Sequence, residues 1–222
     1  MKFEYLLNNK VKVIKDNVHN DWIKSSGKLD HNDYHCNIIK KYLDKNKIAI
    51  DLGSHWGSMS AFYSKHSNHV MSFEMDPDNY SCLEHNMKDY NNITLYNVAL
   101  SDKEKYYTIN NVETNVGMNY LTTSKKKTPF KTKTLDIYNF PFIGYIKIDV
   151  ELEEMNVLKG ALNTIERWKP VLDIEINDNL IEYRKPGYTA QELIDFVCSL
   201  GYSVVHTIGK IGQRDLIFKT IN

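Results

Sequence analysis

The sequence has few cysteines and no long apolar run. Cys36, Cys82 and Cys198 are far apart in a chain of 222 residues and form no Cys-x-x-Cys pair, so they cannot all be paired within the chain. Reduced thiols in an intracellular protein are the simplest interpretation. We expect a cytoplasmic location, because neither the first residues nor any later window has the apolar stretch of a signal peptide or a membrane span.

The chain also has no excess of charge of either sign. Lysine and arginine together number 28, as do aspartate and glutamate, which gives a formal net charge of +0. This balance argues against a general nucleic-acid-binding surface, which usually shows a basic excess, although a local basic groove is compatible with it. The chain is long enough to bury a core without disulfides or a metal, and its length suits one compact domain.

Motifs of several other enzyme classes are missing. No group of histidines and cysteines has the spacing of zinc ligands, and we predict no metal site of that kind. The sequence contains neither a Gly-x-Ser-x-Gly nucleophile elbow nor the Gly-rich phosphate loop of NTPases. Serine-hydrolase and NTPase chemistry of those types is therefore not expected.

Short apolar runs alternate with amphipathic stretches from residue 48 onward. The pattern predicts strands at 48–52, 70–73, 93–98, 145–150, 171–176, 203–207 and 216–219. It predicts helices at 58–65, 78–89, 153–165 and 189–200. Such alternation predicts an α/β fold with a mainly parallel seven-stranded sheet and helices on both faces. The connection before the last strand is too short for a parallel crossover, so that strand is predicted to be antiparallel.

The first part of the chain and two later segments fall outside this alternation. A hairpin is predicted over residues 3–14, a loop over 20–28 and a helix over 33–43. Residues 110–133 and 178–188 read as long polar loops. Long loops in a compact domain are commonly lids or binding loops, so we expect these two to lie near a functional site.

A glycine-containing segment follows the first strand of the series. Residues 51–57 read Asp-Leu-Gly-Ser-His-Trp-Gly and open the next predicted helix. Glycines at such a turn let the backbone approach a ligand closely, and the helix N-terminus offers free N–H groups to a carboxylate or phosphate. A plain tight turn between strand and helix would show the same pattern, so this segment alone does not identify a ligand site.

Glu74 ends the next predicted strand. An acidic side chain there can accept hydrogen bonds from ribose hydroxyls, as in dinucleotide-binding folds. A carboxylate that caps the following helix is the alternative interpretation, and Asp76 suits that role better. The order of strand, glycine loop, helix, strand and acid is more specific than any of its pieces.

Two further predicted strands carry acids near their ends. Asp149 ends a central strand, where open α/β sheets bind ligands, and strand alternation places Lys147 on the same side. Glu175 lies late in the next strand and could form a carboxylate pair with Asp149 for base catalysis or metal binding. Hydrogen bonds to loop N–H groups would explain Glu175 equally well. Glu153 and Glu154 suit the positive N-terminus of the next helix.

Together these segments resemble the FkbM family of S-adenosylmethionine (SAM)-dependent methyltransferases. The resemblance covers residues 48–206 and rests on six segments in the family's order: 51–57, 73–77, 99–102, 134–136, 147–160 and 170–175. The segment 147–160 is the most specific of them. The sequence departs from the family pattern at Ser54, where alanine is usual, at Met75-Asp76, and at Leu152, where glycine is usual.

The resemblance implies a Rossmann-like class I methyltransferase fold with SAM as cofactor and S-adenosylhomocysteine (SAH) as product. It divides the single compact domain into 1–45, a hairpin and helix covering the cofactor site, and 46–222, the methyltransferase part. Asp51 is expected near the amino group of SAM and Glu74 at the ribose hydroxyls. The complete set of expected cofactor-binding residues is Asp51, Gly53, Ser54, His55, Gly57, Glu74, Met75, Val98, Ala99, Ser101 and Asp102.

The resemblance also implies a catalytic centre. Asp149 would face the transferred methyl group and orient or deprotonate the acceptor hydroxyl, with Lys147 and Glu175 in support. A divalent metal is compatible with this centre but is not implied. The expected substrate-binding residues are His31, Glu151, Asn177 and Tyr183.

The expected activity is O-methylation of a sugar, a glycan or a related small molecule, including sugar nucleotides. A nucleic-acid ribose 2′-O-methyltransferase is one alternative, supported by the basic run Lys125–Lys127 and by the presence of Lys147, Asp149 and Glu175. A nucleic-acid partner is not expected from the charge balance. A non-catalytic SAM- or nucleotide-binding module is a second alternative, and an NAD-dependent dehydrogenase is a weaker one.

Overall fold

The computed structural model describes residues 3–15, 17, 19–29, 34–112, 115–184 and 186–221. The strands within these ranges are β1 (Phe3–Leu6), β2 (Val11–Ile14), β3 (Ile48–Leu52), β4 (His69–Phe73), β5 (Ile93–Tyr96), β6 (Ala99–Leu100), β7 (Tyr107–Asn110), β8 (Tyr120–Thr123), β9 (Thr132–Lys133), β10 (Ile143–Ile148), β11 (Val171–Ile176), β12 (Tyr202–Lys210) and β13 (Gln213–Thr220). The α-helices are α1 (His19–Ser26), α2 (Tyr34–Ile39), α3 (Ser58–Ser64), α4 (Pro77–Met87), α5 (Glu154–Lys159), α6 (Leu162–Trp168), α7 (Asp178–Arg184) and α8 (Ala190–Ser199).

Seven of these strands form the central sheet, in the order β12-β13-β11-β10-β3-β4-β5. The pairs β11–β10, β10–β3, β3–β4 and β4–β5 are parallel, and β13 is antiparallel to both of its neighbours. The predicted seven-stranded, mainly parallel sheet with an antiparallel last strand is confirmed. The carboxyl ends of the parallel strands therefore meet at one edge, where such sheets bind ligands.

The register of the central strands sorts side chains onto two different faces. Ile50, Ile148 and Ile174 lie on one face, in an apolar core that α5, α6 and α8 cover. Lys147 pairs with Asp51 of β3 on one side and with Asp173 of β11 on the other. These three charged side chains form a row on the opposite face of the sheet. The helices α2 and α3 cover that face. Partners in a parallel ladder point the same way, which explains why the row is continuous.

The N-terminal hairpin forms as predicted and packs against α4. Strands β1 and β2 are antiparallel, and residues 7–9 between them have positive φ angles. The N–H of Lys12 donates to the side-chain oxygen of Asn86 at 2.7 Å. The amide nitrogen of Asn86 in turn donates to the carbonyl of Trp56 at 2.9 Å. The hairpin is thus tied to the segment that follows β3.

Two predicted loops contain helices in the structure. Helix α1 replaces the loop predicted at 20–28, and α7 lies in the loop predicted at 178–188. Both sequences are polar with few apolar residues, so no helical periodicity was visible. Tertiary packing overrides this weak pattern, because Ile23 of α1 and Leu180 and Ile181 of α7 are buried.

Two other segments also differ from the prediction. The stretch predicted as a loop at 110–133 contains the end of β7, a short 3-10 helix at Val116–Met118, and the strands β8 and β9. The helix predicted at 153–165 is broken into α5 and α6 at Gly160. A Cβ at that glycine would lie 2.1 Å from the carbonyl oxygen of Ser101, so the chain passes too close for any side chain there. No helix in the described part of the chain is long and apolar enough to cross a bilayer.

Candidate cofactor and active site

A cavity of about 330 Å³ lies at the carboxyl ends of β3, β4, β10 and β11. Six residues expected to bind the cofactor line it: Gly53, His55, Glu74, Met75, Val98 and Ala99. Four residues expected at the catalytic or acceptor site also line it: Asp149, Glu151, Glu175 and Asn177. The structure therefore brings both expected sites into one cavity.

The glycine loop approaches the end of β10 very closely. Gly53 has a φ of +84°, and a Cβ built on it would lie 1.8 Å from the carbonyl oxygen of Asp149. The N–H of Gly53 donates to the carbonyl of Phe73 at 3.0 Å, and the N–H of Asp149 donates to the carbonyl of Leu52 at 3.1 Å. A glycine is required here because both its left-handed conformation and the close backbone contact exclude a side chain.

Glu74 fixes the loop on the other side of the cavity. Its Oε2 accepts a hydrogen bond from the N–H of His55 at 2.8 Å, and its Oε1 accepts one from the N–H of Asp76 at 2.8 Å. Burial raises the pKa of Glu74 to about 8, although these two hydrogen bonds oppose the shift. A buried carboxylate of this kind can accept further hydrogen bonds from ligand hydroxyls.

Residues 115–121 form a wall of the cavity that the sequence motifs did not identify. The side-chain amide of Asn119 donates to Asp76 at 3.0 Å, and that of Asn79 donates to the carbonyl of Val116 at 3.1 Å. His19 of α1 also lines the cavity, with its Nε2 3.1 Å from Asn115 Oδ1. The long polar segment 110–133 was the only sequence signal for this wall.

Three carboxylates converge at one end of the cavity, which is called the acidic end below. One oxygen each of Asp149, Glu151 and Glu175 lies within 4.8 Å of the others. Burial and the charge of Asp149 raise the pKa of Glu151 to about 8. The charge of Asp149, followed by burial, raises the pKa of Glu175 to about 9. Carboxylates this close share protons or a cation, because they cannot all be ionised without one.

Lys147 supplies a positive charge beneath this group. Its ammonium lies 2.6 Å from Asp215 Oδ1 and 3.5 Å from Asp149 Oδ2. Burial lowers the pKa of Lys147, but the surrounding acids outweigh burial and hold it well above the ordinary value of 10.5. Lys147 does not line the cavity, but its ammonium contacts Asp149, which does.

Asp51 is buried and does not line the cavity, so its expected contact with the amino group of the cofactor stays a prediction. Its Oδ2 accepts a 2.5 Å hydrogen bond from the hydroxyl of Ser60 in α3. Ser54 lies beside it and donates to the Asp51 carbonyl at 2.8 Å. Burial raises the pKa of Asp51 to about 6, with Ser60 opposing the shift. The register of β3 turns this carboxylate towards the face that α3 covers.

Four further expected residues lie outside the cavity lining. Gly57 begins α3 with a φ of +95°, and a Cβ there would meet the side chains of α4. The Ser101 hydroxyl donates to Glu153 Oε2 at 2.9 Å and lies 3.1 Å from Asp102 Oδ1. Ser101 and Asp102 therefore lie behind Glu153, which lines the cavity. Tyr183 is 84% exposed on α7. The remaining expected substrate residue, His31, lies outside the described residues.

Leu152, at the position where the family usually has glycine, lies in the turn after Asp149. Glu151 and Leu152 have φ angles of +52° and +80°, so Leu152 keeps the left-handed conformation that glycine prefers. Its side chain is buried in the apolar core rather than in the cavity. Oε1 of Glu154 accepts the N–H groups of Val150 and Leu152 at 3.2 Å each, which holds the turn in place.

Comparisons with known proteins agree with this geometry. The sequence profile of the methyltransferase FkbM domain matches residues 46–204. The structure of methyltransferase FkbM from Methylobacillus flagellatus KT superposes with a TM-score of 0.56 at 18% identity, covering 79% of this chain and 44% of that one. A putative rRNA methylase from Clostridium thermocellum superposes with a TM-score of 0.54 at 12% identity, covering 85% and 94%.

Two further relatives extend the comparison. A putative methyltransferase from Streptococcus mutans, solved in complex with SAH, has a TM-score of 0.51 at 12% identity and covers 84% of this chain and 96% of that one. The ribosomal RNA small subunit methyltransferase A of Staphylococcus carnosus is 35% identical over 66 residues. That match covers 28% of this chain and 22% of the relative, so this chain spans a minor part of the curated relative's length. The fold is that of the class I methyltransferases, and the chain belongs to the FkbM methyltransferase family.

Proposed function

We propose that this protein is a SAM-dependent O-methyltransferase that acts on a hydroxyl group of a sugar, a glycan or a related small molecule. One observation carries the proposal. The cavity joins a nucleoside-type end, with Glu74 beside the glycine loop, to an acidic end where Asp149 lies between Glu151 and Glu175. A methyl donor and a hydroxyl acceptor need such adjacent sites, because the reaction depends on their alignment.

The residues of the nucleoside-type end fit SAM. The absence of a side chain at Gly53 lets the loop backbone pack directly against the end of β10, and Glu74 offers its carboxylate to ribose hydroxyls. The Nε2 atom of His55 is buried in the cavity wall and has no hydrogen-bond partner among the described residues. A polar ligand in the cavity would satisfy it. The bound cofactor supplies an activated methyl group on its sulfonium.

The acidic end provides the groups that prepare an acceptor hydroxyl. We assign Asp149 the role of orienting that hydroxyl and accepting its proton, because it is 36% exposed and lines the cavity. Lys147 holds Asp149 from beneath, while Glu175 and Asn177 line the side where the acceptor would enter. Glu151 completes the acidic wall.

The charge of this wall favours an acceptor without phosphate at the reacting end. The Asp149 carboxylate lines this wall, and the Lys147 ammonium beside it already contacts Asp215, so a phosphate group placed there would meet like charge. Hydroxyl groups, in contrast, can donate to carboxylates. A neutral sugar or glycan hydroxyl is therefore the acceptor that fits best.

The test is the substitution Asp149→Asn, with SAH affinity measured by calorimetry and methyl transfer measured on a panel of sugars and glycans. We expect kcat to fall by about 10²–10⁴-fold while SAH affinity stays unchanged. Asp195→Asn, on the exposed side of α8, is the matched control and should change neither quantity. An Asp149→Asn protein with full activity would refute the role of Asp149. SAH binding without turnover on any acceptor would favour a non-catalytic module.

A ribose 2′-O-methyltransferase is the second candidate. The 66-residue match to a ribosomal RNA methyltransferase and the exposed run Lys125–Lys127 favour an RNA acceptor. Binding of RNA would weaken steeply with salt, because each phosphate contact releases counterions. A measured affinity for RNA that falls with salt, and that is lost on replacing the three lysines by glutamine, would favour this candidate over a glycan acceptor.

The proposed role of the N-terminal part is to cover the cofactor end of the cavity. His19 of α1 lines the cavity and its ring contacts the ring of His55 edge-on, with the centroids 5.1 Å apart. The substitution His19→Ala should therefore weaken SAH binding, and unchanged affinity would argue against a covering role.

A further inference from the structure

A polar network lies beneath Asp149, on the sheet face that α2 and α3 cover. His35 of α2 lies against two carboxylates from β11 and β13, which are neighbours in the sheet but far from α2 in sequence. Its Nε2 is 3.1 Å from Asp173 Oδ2, and its Nδ1 is 3.6 Å from Asp215 Oδ2. The other oxygen of Asp215 accepts a hydrogen bond from the Lys147 ammonium. The same ammonium is 3.5 Å from Asp149. A continuous series of polar contacts therefore runs from α2 to the acidic end of the cavity.

Two members of this network, Asp173 and Lys147, are buried, while His35 and Asp215 are partly buried. Asp173 has no exposed surface, and its Oδ2 also accepts a hydrogen bond from the hydroxyl of Tyr145 at 2.5 Å. Burial and the charge of Lys147 lower the pKa of His35, but Asp173 and Asp215 outweigh both effects and raise the pKa above 6.5. Charges interact more strongly in such a site than in water.

We propose that His35 is a positioning residue for methyl transfer: it holds Asp215, and Asp215 in turn holds the Lys147 ammonium against Asp149. This proposal rests on the function proposed above. His35 does not line the cavity, so its effect must pass through the other members of the network. It also lies outside residues 46–204, which match the FkbM profile, so the N-terminal part contributes to the active centre as well as to the cavity wall.

The two oxygens of Asp215 explain how His35 exerts this effect. Lys147 occupies Oδ1 and His35 lies next to Oδ2, so each oxygen has one partner. Without His35, both Asp215 and Asp173 lose a partner and depend more strongly on Lys147. A buried carboxylate draws the nearest cation towards itself, so the ammonium would move away from Asp149.

The first test compares two substitutions of His35 in the kinetics of methyl transfer. His35→Phe should lower kcat on the order of 10-fold, because a small displacement of a catalytic group is costly. The KM for SAM and the affinity for SAH should stay unchanged. His35→Gln should recover part of kcat, because its amide can still donate a hydrogen bond to a carboxylate.

The second test asks whether His35 acts through Asp215. In an Asp215→Asn background, His35→Phe should cause little further loss of kcat, because the contact that it removes is already altered. Ile39→Val is the matched control on the same helix. Ile39 is fully buried, so this substitution should lower thermal stability while leaving kcat unchanged.

A third measurement does not require turnover. The titration of the His35 ring, followed by NMR, should move to lower pH in Asp215→Asn. The proposal is overturned if this titration is unchanged, or if the effects of His35→Phe and Asp215→Asn on kcat simply multiply. If the unsubstituted protein transfers no methyl group to any acceptor, the proposed function fails. The NMR titration then decides by itself whether His35 holds Asp215.

Discussion

The backbone of Gly53 lies so close to Asp149 that a methyl group on the glycine would come within 1.8 Å of the aspartate's carbonyl oxygen. This contact joins the turn after β3 to the end of β10. It places the expected cofactor loop against the backbone of the residue whose carboxylate we propose to orient the acceptor hydroxyl. The loop after β3 and the end of β10 therefore depend on one another for their geometry.

The contact predicts a large effect of Gly53→Ala. The new methyl group would clash with backbone and force a left-handed conformation on alanine, so we expect unfolding free energy to fall by about 3 kcal/mol and SAH binding to be lost. Gly201→Ala is the control, because Gly201 has a φ of +86° but no atom within 4 Å of its Cβ position. It should cost about 1 kcal/mol. Denaturant unfolding measures the loss of unfolding free energy in each variant. Equal losses in Gly53→Ala and Gly201→Ala would contradict the predicted clash.

The turn at Leu152 predicts an unusual order of stability. Both Leu152→Ala and Leu152→Gly remove the buried side chain, but only glycine relieves the φ of +80°. Leu152→Gly should therefore be more stable than Leu152→Ala by about 1 kcal/mol in denaturant unfolding. At Leu193, buried within α8, the order should reverse, because alanine is the better helix former. The same order at both positions would show that Leu152 is not strained.

The Glu154 carboxylate that holds this turn predicts a role for Tyr188. The Tyr188 hydroxyl donates to Glu154 Oε2 at 2.7 Å, so Tyr188→Phe leaves a buried carboxylate oxygen without that partner. We expect a loss of about 1.5–3 kcal/mol in unfolding free energy. Tyr202→Phe is the control, because the buried Tyr202 hydroxyl has no hydrogen-bond partner among the described residues. That substitution should be close to neutral, and a similar loss in both variants would contradict the prediction.

The raised pKa of Glu74 predicts how the stability of the ligand-free protein depends on pH. Between the ordinary value of 4.5 and the folded-state value of about 8, the folded protein binds a proton that the unfolded chain does not. Unfolding free energy should therefore fall as pH rises through this window, by roughly 1 kcal/mol per pH unit for this group. Glu74→Gln should flatten the slope of stability against pH.

The control for this experiment is Glu166→Gln, at an exposed position on α6. It should leave the slope unchanged. Some slope should also persist in Glu74→Gln, because the pKa values of Glu151 and Glu175 are raised in the same direction. If the slope of stability against pH is the same in the unsubstituted protein, Glu74→Gln and Glu166→Gln, the assignment to Glu74 is wrong.

The alternation of apolar runs was sufficient to predict the central sheet. Its strands recur with short connections and helical stretches between them, and that pattern permits few other folds. The helices α1 and α7 were not predicted, because each is polar and is held by a few buried apolar residues. Their positions depend on contacts with distant parts of the chain, which local patterns do not encode.

The sequence by itself determined which residues end the strands at the cavity, because the carboxyl ends of parallel strands meet at one edge. Gly53, Glu74 and Asp149 follow from this rule. Only the tertiary structure decided which way each neighbouring acid points. The register of β3 buries Asp51 against Ser60, while pairing across the sheet brings Asp215 to Lys147. Register arises from pairing between strands distant in sequence, so it becomes visible only once the sheet has formed.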